Sequence, residues 1–327
     1  MKTLHTAFVS LLLAACLPAV HAQASKPAEN FPDKGVRIVL PYTPGGSTDA
    51  LSRFVGEKLA ADWKQSVITD NRPGASGMIG TEIVARAPAD GYTVLFAITQ
   101  HIQNPLLYKK VAYDPLKDFY PLARILTVPT ALAVHADFPA NTIQEMIALI
   151  RSQPNIHGFG STGNASTSHI YGGLLTKRAD LKAVHIPYKG AGPLVTDLLG
   201  KQVTFTILDV GSLMPQVKAG KLKILAVAGT ERLSYLPNAP TFSEAGFPGF
   251  EALSWMGFFL PANTPPAIRQ KWSEALQRHL TSPEMAVKLE AMGMSPGYLN
   301  SPNFETRLVS DTLIWKSVIS VAQVSAE

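Results

Sequence analysis

Hydrophobic positions in this chain alternate between two periods. Val36 to Leu40 is an apolar, β-branched run ended by Pro41, and Leu51, Phe54, Val55 and Leu59 then recur at helical spacing. The order strand, loop, helix repeats: Ser66 to Thr69 predicts a strand, Asn71 to Gly74 a turn, Ile79 to Arg86 a helix, Pro88 to Gly91 a turn and Tyr92 to Ile98 a strand. Thr142 and Glu145 have the spacing of a capping box ahead of Ile143, Met146, Ile147 and Ile150, a helix closed by Pro154. A second alternating unit follows, with strands at Ala183 to Ile186, Val203 to Asp209 and Leu222 to Ala228 and helices at Pro193 to Leu199 and Leu213 to Ala219. The tail reads as helical: Ser282-Pro283 and Ser301-Pro302 each place an N-cap before a first-turn proline, and Phe304, Leu308, Trp315 and Ile319 form a core stripe. Parallel sheets flanked by helices are expected.

The N-terminus follows a different pattern. Met1 to Thr6 carry Lys2 and no acid, Ala7 to Leu17 are apolar, and Pro18 precedes two small-x-small sites ending at Ala22 and Ala24. Residues 1–22 are expected to be a secretory signal removed near Ala22, which places the protein in a bacterial periplasm. Leu13-Ala14-Ala15-Cys16 also fits a lipoprotein box, so anchoring at Cys16 is the alternative. Cys16 is the only cysteine in the chain, so cleavage near Ala22 leaves no thiol or disulfide chemistry.

Composition narrows the function classes. At 327 residues with 46% hydrophobic and 16% charged positions, the chain can bury a core and has room for about two domains. The net charge of +5 is dispersed, with Lys109-Lys110 and Lys177-Arg178 as the only adjacent basic pairs, which argues against nucleic acid. Beyond the N-terminus no apolar run reaches the roughly 18 residues of a membrane span.

Three glycine-bearing turns between strand and helix can carry chemistry. Pro41 to Asp49 contains Gly45 and Gly46, expected to adopt positive φ, followed by the hydroxyls of Ser47 and Thr48 at a helix start that suits an anionic oxygen. Simple helix capping by Ser47 or Thr48 is the competing reading, and Asp49 is expected to be structural. Gly158 to His169 contains a literal GxGxxG, but its preceding residues make a poor strand and the periplasm lacks dinucleotides, so it reads instead as a run of amides and hydroxyls before a helix. His169 falls one turn inside that helix, where packing and ligand binding are both open. Pro187 to Pro193 carries Lys189 and Gly190 before another helix, and Asp209 closes an apolar strand, where it either faces the ligand edge or caps the next turn.

Enzyme constellations are missing. The eight histidines show no HxxxH spacing, and there is neither a GxSxG nucleophile elbow nor a GxxxxGK phosphate loop. Binding without catalysis, metal or cofactor is the expectation.

The stretches Leu40 to Asp49 with Arg53, Asn71 to Gly77, Ala89 to Thr93, Tyr113 to Phe119, Gly160 to Gly163 with His169, Pro187 to Gly190, Asp197 to Gly200 and Pro215 to Leu222 together resemble the Bug family, the substrate-binding proteins of tripartite tricarboxylate transporters. The likeness runs in order through nearly all of the chain beyond the signal. It implies a type II-like, two-lobed α/β periplasmic binding protein, each lobe a mainly parallel sheet flanked by helices, with a small carboxylate in the cleft between them. Lobe 1 would use roughly residues 31–124 with 250–327 and lobe 2 roughly residues 125–249. In such proteins carboxylate oxygens are held by loop amides, hydroxyls and waters, roles that carry over onto Gly45 to Thr48 and Ser161 to Ser168. The expected ligand-binding residues are Tyr42, Gly45, Gly46, Ser47, Thr48, Thr99, Gln100, His101, Ser161, Gly163, Asn164, Ala165, Ser166, Thr167, His169, Lys189, Gly190 and Asp209. Gln100 and His101 depart from the smaller residues usual after the third strand, which suggests a specialised distal pocket. The implied partners are membrane subunits of such a transporter or a sensor kinase, and a monomer is expected. A sensor subunit without transport and an envelope hydrolase using His101 or His169 are the alternatives.

Overall fold

A computed structural model describes residues 30–154, 156–292 and 294–326. The expected signal segment, its cleavage sites and Cys16 lie outside the described residues. In chain order the elements are β1 (Val36–Leu40), α1 (Ser47–Trp63), β2 (Val67–Asn71), α2 (Met78–Ala85), β3 (Thr93–Ile98), α3 (Gln100–Leu107), β4 (Phe119–Val128), β5 (Thr130–His135), α4 (Ile143–Ser152), β6 (His157–Ser161) and α5 (Thr167–Arg178). They continue with β7 (Ala183–Pro187), α6 (Ala191–Leu199), β8 (Phe205–Asp209), α7 (Val210–Lys218), β9 (Leu222–Val227), β10 (Ser254–Pro261), α8 (Pro266–Leu280), α9 (Pro283–Ala291), β11 (Ser295–Asn300) and α10 (Ser301–Ala322).

The strands form two sheets, ordered β11-β4-β10-β3-β1-β2 and β7-β6-β8-β5-β9. Both are mixed, which corrects the expectation of mainly parallel sheets. β1 pairs in parallel with β2 and β3, and β6 with β7 and β8, as the alternating strand and helix pattern requires. The remaining pairings are antiparallel because chain arriving from elsewhere fills the other half of each sheet: β10 inserts between β3 and β4, and β5 between β8 and β9. The chain changes sheet at Pro129, the single residue between β4 and β5, and again between β9 and β10.

Local choices explain the elements. β3 and β10 are nearly continuous apolar runs, buried on both faces at the centre of the first sheet. α1 lays Leu51, Val55 and Leu59 on that sheet. The Thr142 hydroxyl accepts the Glu145 amide at 3.1 Å, while Glu145 reaches back to the amide of Asn141 at 2.7 Å, one residue upstream of the expected partner. Ser282 caps α9 as expected, but α10 is capped by Asn300, one residue before Ser301. The stripe on α10 is buried, and Trp315 stacks on Tyr171 of α5 with ring centroids 5.0 Å apart, so the last helix braces elements of both sheets.

His157 and Gly158 to Ser161 of the GxGxxG run form β6, an interior strand of the second sheet, so a strand does precede the turn that Thr162 and Gly163 open. The two glycines within the strand are packing positions. A methyl group at Gly160 would collide with Leu194 of α6, and one at Gly158 would stand 2.9 Å from Ile186.

Candidate functional site

The turn between β1 and α1 is organised by Asp49, which is only 6% exposed. Its carboxylate accepts the Gly45 amide at 3.1 Å, two guanidinium N–H groups of Arg53 at 3.1 Å each, and the Asn71 side-chain amide at 3.0 Å. The hydrogen bonds from Arg53 are the main reason its pKa lies below the usual carboxylate value, against the opposing effect of burial. Asn71 also donates to the Tyr42 carbonyl, and the Tyr42 phenol accepts the Ile98 amide at 3.2 Å, tying the turn to the end of β3. Gly45 has φ +91°, whereas Gly46, the N-cap of α1, has φ −83°, so the expected positive φ belongs to Gly45 alone. Neither Ser47 nor Thr48 caps the helix, whose start has no side-chain cap at all.

Thr99 is the N-cap residue of α3, a helix where only a polar departure was expected. Its backbone and side chain clasp Trp255: the Thr99 amide donates to the Trp255 carbonyl, and the Trp255 amide donates to the Thr99 hydroxyl at 2.7 Å. Thr99 and Gln100 face the cavity described below, but His101 does not. His101 is 2% exposed, with its ring against Tyr113, Phe119 and Phe259, and burial pushes its pKa down to about 3. Successive residues on a helix point about 100° apart, and that step turns His101 from the cavity side of α3 to the side packed on the core. His101 thus sits in the core and does not line the cavity, contrary to its expected place in the ligand pocket.

Behind the β6–α5 turn lies a brace of neutral histidines. His169 stacks on His185 with centroids 3.7 Å apart, and its Nδ1 accepts the Ala165 amide at 3.1 Å. Burial first, and the neighbouring His185 second, push the His169 pKa down to about 4. Ser161 is fully buried, 2.7 Å from His185 Nε2, and its hydroxyl accepts the Gly163 amide. These contacts hold Gly163 at φ +139° and Ala165 at φ +58°, while Asn164 is the exposed tip. Ser166 caps α5 by accepting the His169 amide.

Lys189 is exposed and Gly190 caps α6 with φ +104°; their turn sits behind the β6–α5 turn, with the Tyr188 amide donating to the Ser161 carbonyl. Asp209 caps α7, accepting the Ser212 amide at 2.8 Å.

Between the two sheets lies a cavity of about 480 Å³. Of the expected residues it brings together Ser47, Thr99, Gln100, Ser166, Thr167 and Asp209. Tyr42, Gly45, Gly46, Thr48, Ser161, Gly163, Asn164, Ala165, His169, Lys189 and Gly190 do not line it, nor does His101. Thr162 and Ser168 complete the α5 side, with the Thr162 amide donating to the Ser168 hydroxyl at 2.9 Å. Sequence reasoning missed Gly211 and Ser212 beside Asp209, which the rule of following each strand into its helix finds. It also missed Ser254, Trp255, Met256, Met292 and Met294, which lie in apolar stretches without a motif. The cavity is therefore bordered by the N-termini of α1, α3, α5 and α7, and Asp209 is the only ionisable side chain among its lining residues. No trio of His, Cys, Asp or Glu among the described residues is placed to hold a metal ion.

A family model described as "Tripartite tricarboxylate transporter family receptor" matches residues 51–323. The chain belongs to this family. The "UPF0065 protein in tcbD-tcbE intergenic region" of Pseudomonas sp. (strain P51) is 32% identical over 297 residues, covering 90% of this chain and 88% of that protein. Among solved structures of the family's fold, "R. palustris Rpa4515 with adipate" aligns with TM-score 0.78 and 32% identity over 90% of this chain and 99% of its own. "MatC (Rpa3494) from Rhodopseudomonas palustris with bound malate" aligns with TM-score 0.73 and 28% identity over 88% and 100%. The receptor fold is thus the two-lobed periplasmic binding protein fold, and the family is one of receptors, not enzymes. No described helix is long and apolar enough to cross a membrane.

Proposed function

We propose that this receptor captures a small carboxylate in the periplasm and presents it to the membrane subunits of a tripartite tricarboxylate-type transporter. One lobe would be roughly residues 31–128 with 250–327 and the other roughly residues 130–249, with the first crossing at Pro129 and not at the expected 124/125. The lobes would close on the solute so that the closed state is the one favoured by ligand. The observation that carries the reading is the convergence of four helix N-termini on one cavity with no lysine or arginine in its wall. Backbone amides and the positive ends of helix dipoles favour a negatively charged oxygen there. The adipate and malate in the two similar structures support the same ligand class. In this reading Ser47, Thr99, Gln100, Ser166, Thr167 and Asp209 meet the ligand, while Tyr42, Gly45, Gly46, Thr48, Ser161, Gly163, Asn164, Ala165, His169, Lys189 and Gly190 shape the turns behind them.

Mass spectrometry of the compound carried through native purification should find a carboxylic acid. At about 100-fold over its Kd that acid adds roughly 2.7 kcal/mol, which raises Tm by about 5 °C at roughly 2 °C per kcal/mol. Its methyl ester should give no shift. Equal shifts from acid and ester would refute the carboxylate reading.

A further inference from the structure

We infer that the cavity is built for a carboxylate with one anionic end and an apolar body, a medium-chain or aromatic monocarboxylate, in preference to a di- or tricarboxylate. The inference rests on the carboxylate reading and narrows it.

The helix ends around the cavity are not equivalent. On the first-sheet side, α1 and α3 start without any side-chain cap. On the second-sheet side, Ser166 takes up an amide of α5 and Asp209 an amide of α7. The helix starts left open to an incoming oxygen by their own side chains thus sit on one wall. Asp209 also places a negative charge on the opposite wall, where its carboxylate already complements the α7 dipole and would repel a second ligand carboxylate.

One contiguous part of the first-sheet wall is apolar, while the hydroxyl-bearing Thr130, Thr162, Ser168, Ser212 and Ser254 line the rest. Ile98 and Met256 are paired across β3 and β10, Val128 ends β4 beside them, and Met292 and Met294 from the turn between α9 and β11 complete the patch. Met292 and Met294 are half-buried and pack on the same core cluster as Ile98, Val128 and Met256, so they present thioethers that adapt to a ligand's body. A carboxylate pressed against this patch would lose its water and gain no donor. A second carboxylate therefore faces thioethers and aliphatic carbons on the patch, or, across the cavity, hydroxyls at helix starts already capped and the charge of Asp209, while methylenes or a ring fit the apolar patch.

Calorimetric titration of the full chain, dialysed free of bound solute, with acetate, butanoate, hexanoate, benzoate, adipate and malate tests this. Each methylene taken from water is worth about fourfold in affinity, so affinity should climb over the four methylenes from acetate to hexanoate by roughly 200-fold. Hexanoate or benzoate should bind at least tenfold tighter than both adipate and malate; adipate is hexanoate with its terminal methyl exchanged for a carboxylate. A smaller margin, or a preference for the diacids, overturns the single-anion inference and leaves the carboxylate reading standing. Binding of none of these acids overturns both. Met294→Gln, at a half-buried turn position, should lower the ratio of hexanoate to acetate affinity about fivefold, and an unchanged ratio overturns the role given to the apolar wall.

Discussion

Replacing Asp49 by alanine should loosen the turn that carries the start of α1. The carboxylate has four donors: the Gly45 amide, two N–H groups of Arg53 and the Asn71 side chain. Hydrogen bonds to a charged acceptor contribute about 1.5–3 kcal/mol when buried, but Arg53 is half exposed, and an exposed ion pair is worth less than about 1 kcal/mol. The Gly45 and Asn71 amides can also recover part of their loss through water. The sum is about 2–3 kcal/mol, or about 4–6 °C in Tm for a protein of this size. Asp49→Asn keeps an acceptor and removes the charge, so it should cost about half as much. The pH dependence follows from the lowered pKa of Asp49: its contribution is complete above the unfolded carboxyl value of about 3.9 and is lost as pH falls through the lower folded value. Differential scanning calorimetry from pH 8 downward should show a constant gap between wild type and Asp49→Asn to about pH 5, closing below pH 4. A Tm for Asp49→Ala within 1 °C of wild type, or a gap that widens in acid, would refute the clamp.

Two further outcomes are expected. His101→Phe keeps the ring in its aromatic surroundings and removes a base whose folded pKa of about 3 lies below the unfolded value of about 6.5. The unfolded chain alone binds that proton between these values, so wild type loses up to about 1.4 kcal/mol per pH unit there; the variant should have a flatter acid limb in thermal melts, and a tenfold loss of ligand affinity would return His101 to the pocket. At position 209, Asn caps a helix as well as Asp, so Asp209→Asn should stay within about 0.5 kcal/mol in denaturant melts while Asp209→Ala costs about 1 kcal/mol. Adipate should bind Asp209→Asn about 3- to 10-fold more tightly than wild type, and no gain would show that the charge does not face the ligand.

The parts of the fold legible in the sequence were those whose own residues decide them. β1, α1 and the capped start of α4 follow from β-branched runs, helical spacing and a capping pair. β10 was not legible, because a fully buried apolar run such as Trp255 to Leu260 carries no period, and its place between β3 and β4 depends on strands more than 120 residues away. β6 was hidden by Gly158 and Gly160, poor strand formers that are used because Ile186 and Leu194 occupy the space of their side chains. Strand direction was equally out of reach for the half of each sheet supplied by chain from beyond a crossing.

For the site, sequence located the turns but not the facing of their residues. Gly45 to Thr48, Ser161 to Ser168 and Asp209 all lie at strand-to-helix junctions, as motif and alternation indicated, yet within each turn some side chains meet the cavity and others hold the backbone. Ser161 and His169 look as competent for a ligand as Ser166 and Thr167, but a 3.7 Å imidazole stack and a buried hydroxyl commit them to the brace. The capping state of each helix is just as invisible, and it decides where an anion can go. Ser47 and Thr48 have the residue types of a cap but the chain places Gly46 there, which leaves the α1 amides unclaimed by any side chain; Asp209 has the residue type of a ligand contact and spends one oxygen on Ser212. The polarity of the cleft therefore comes from which hydroxyls and carboxylates have already been used by their own helices. It can be read only after those hydrogen bonds are placed.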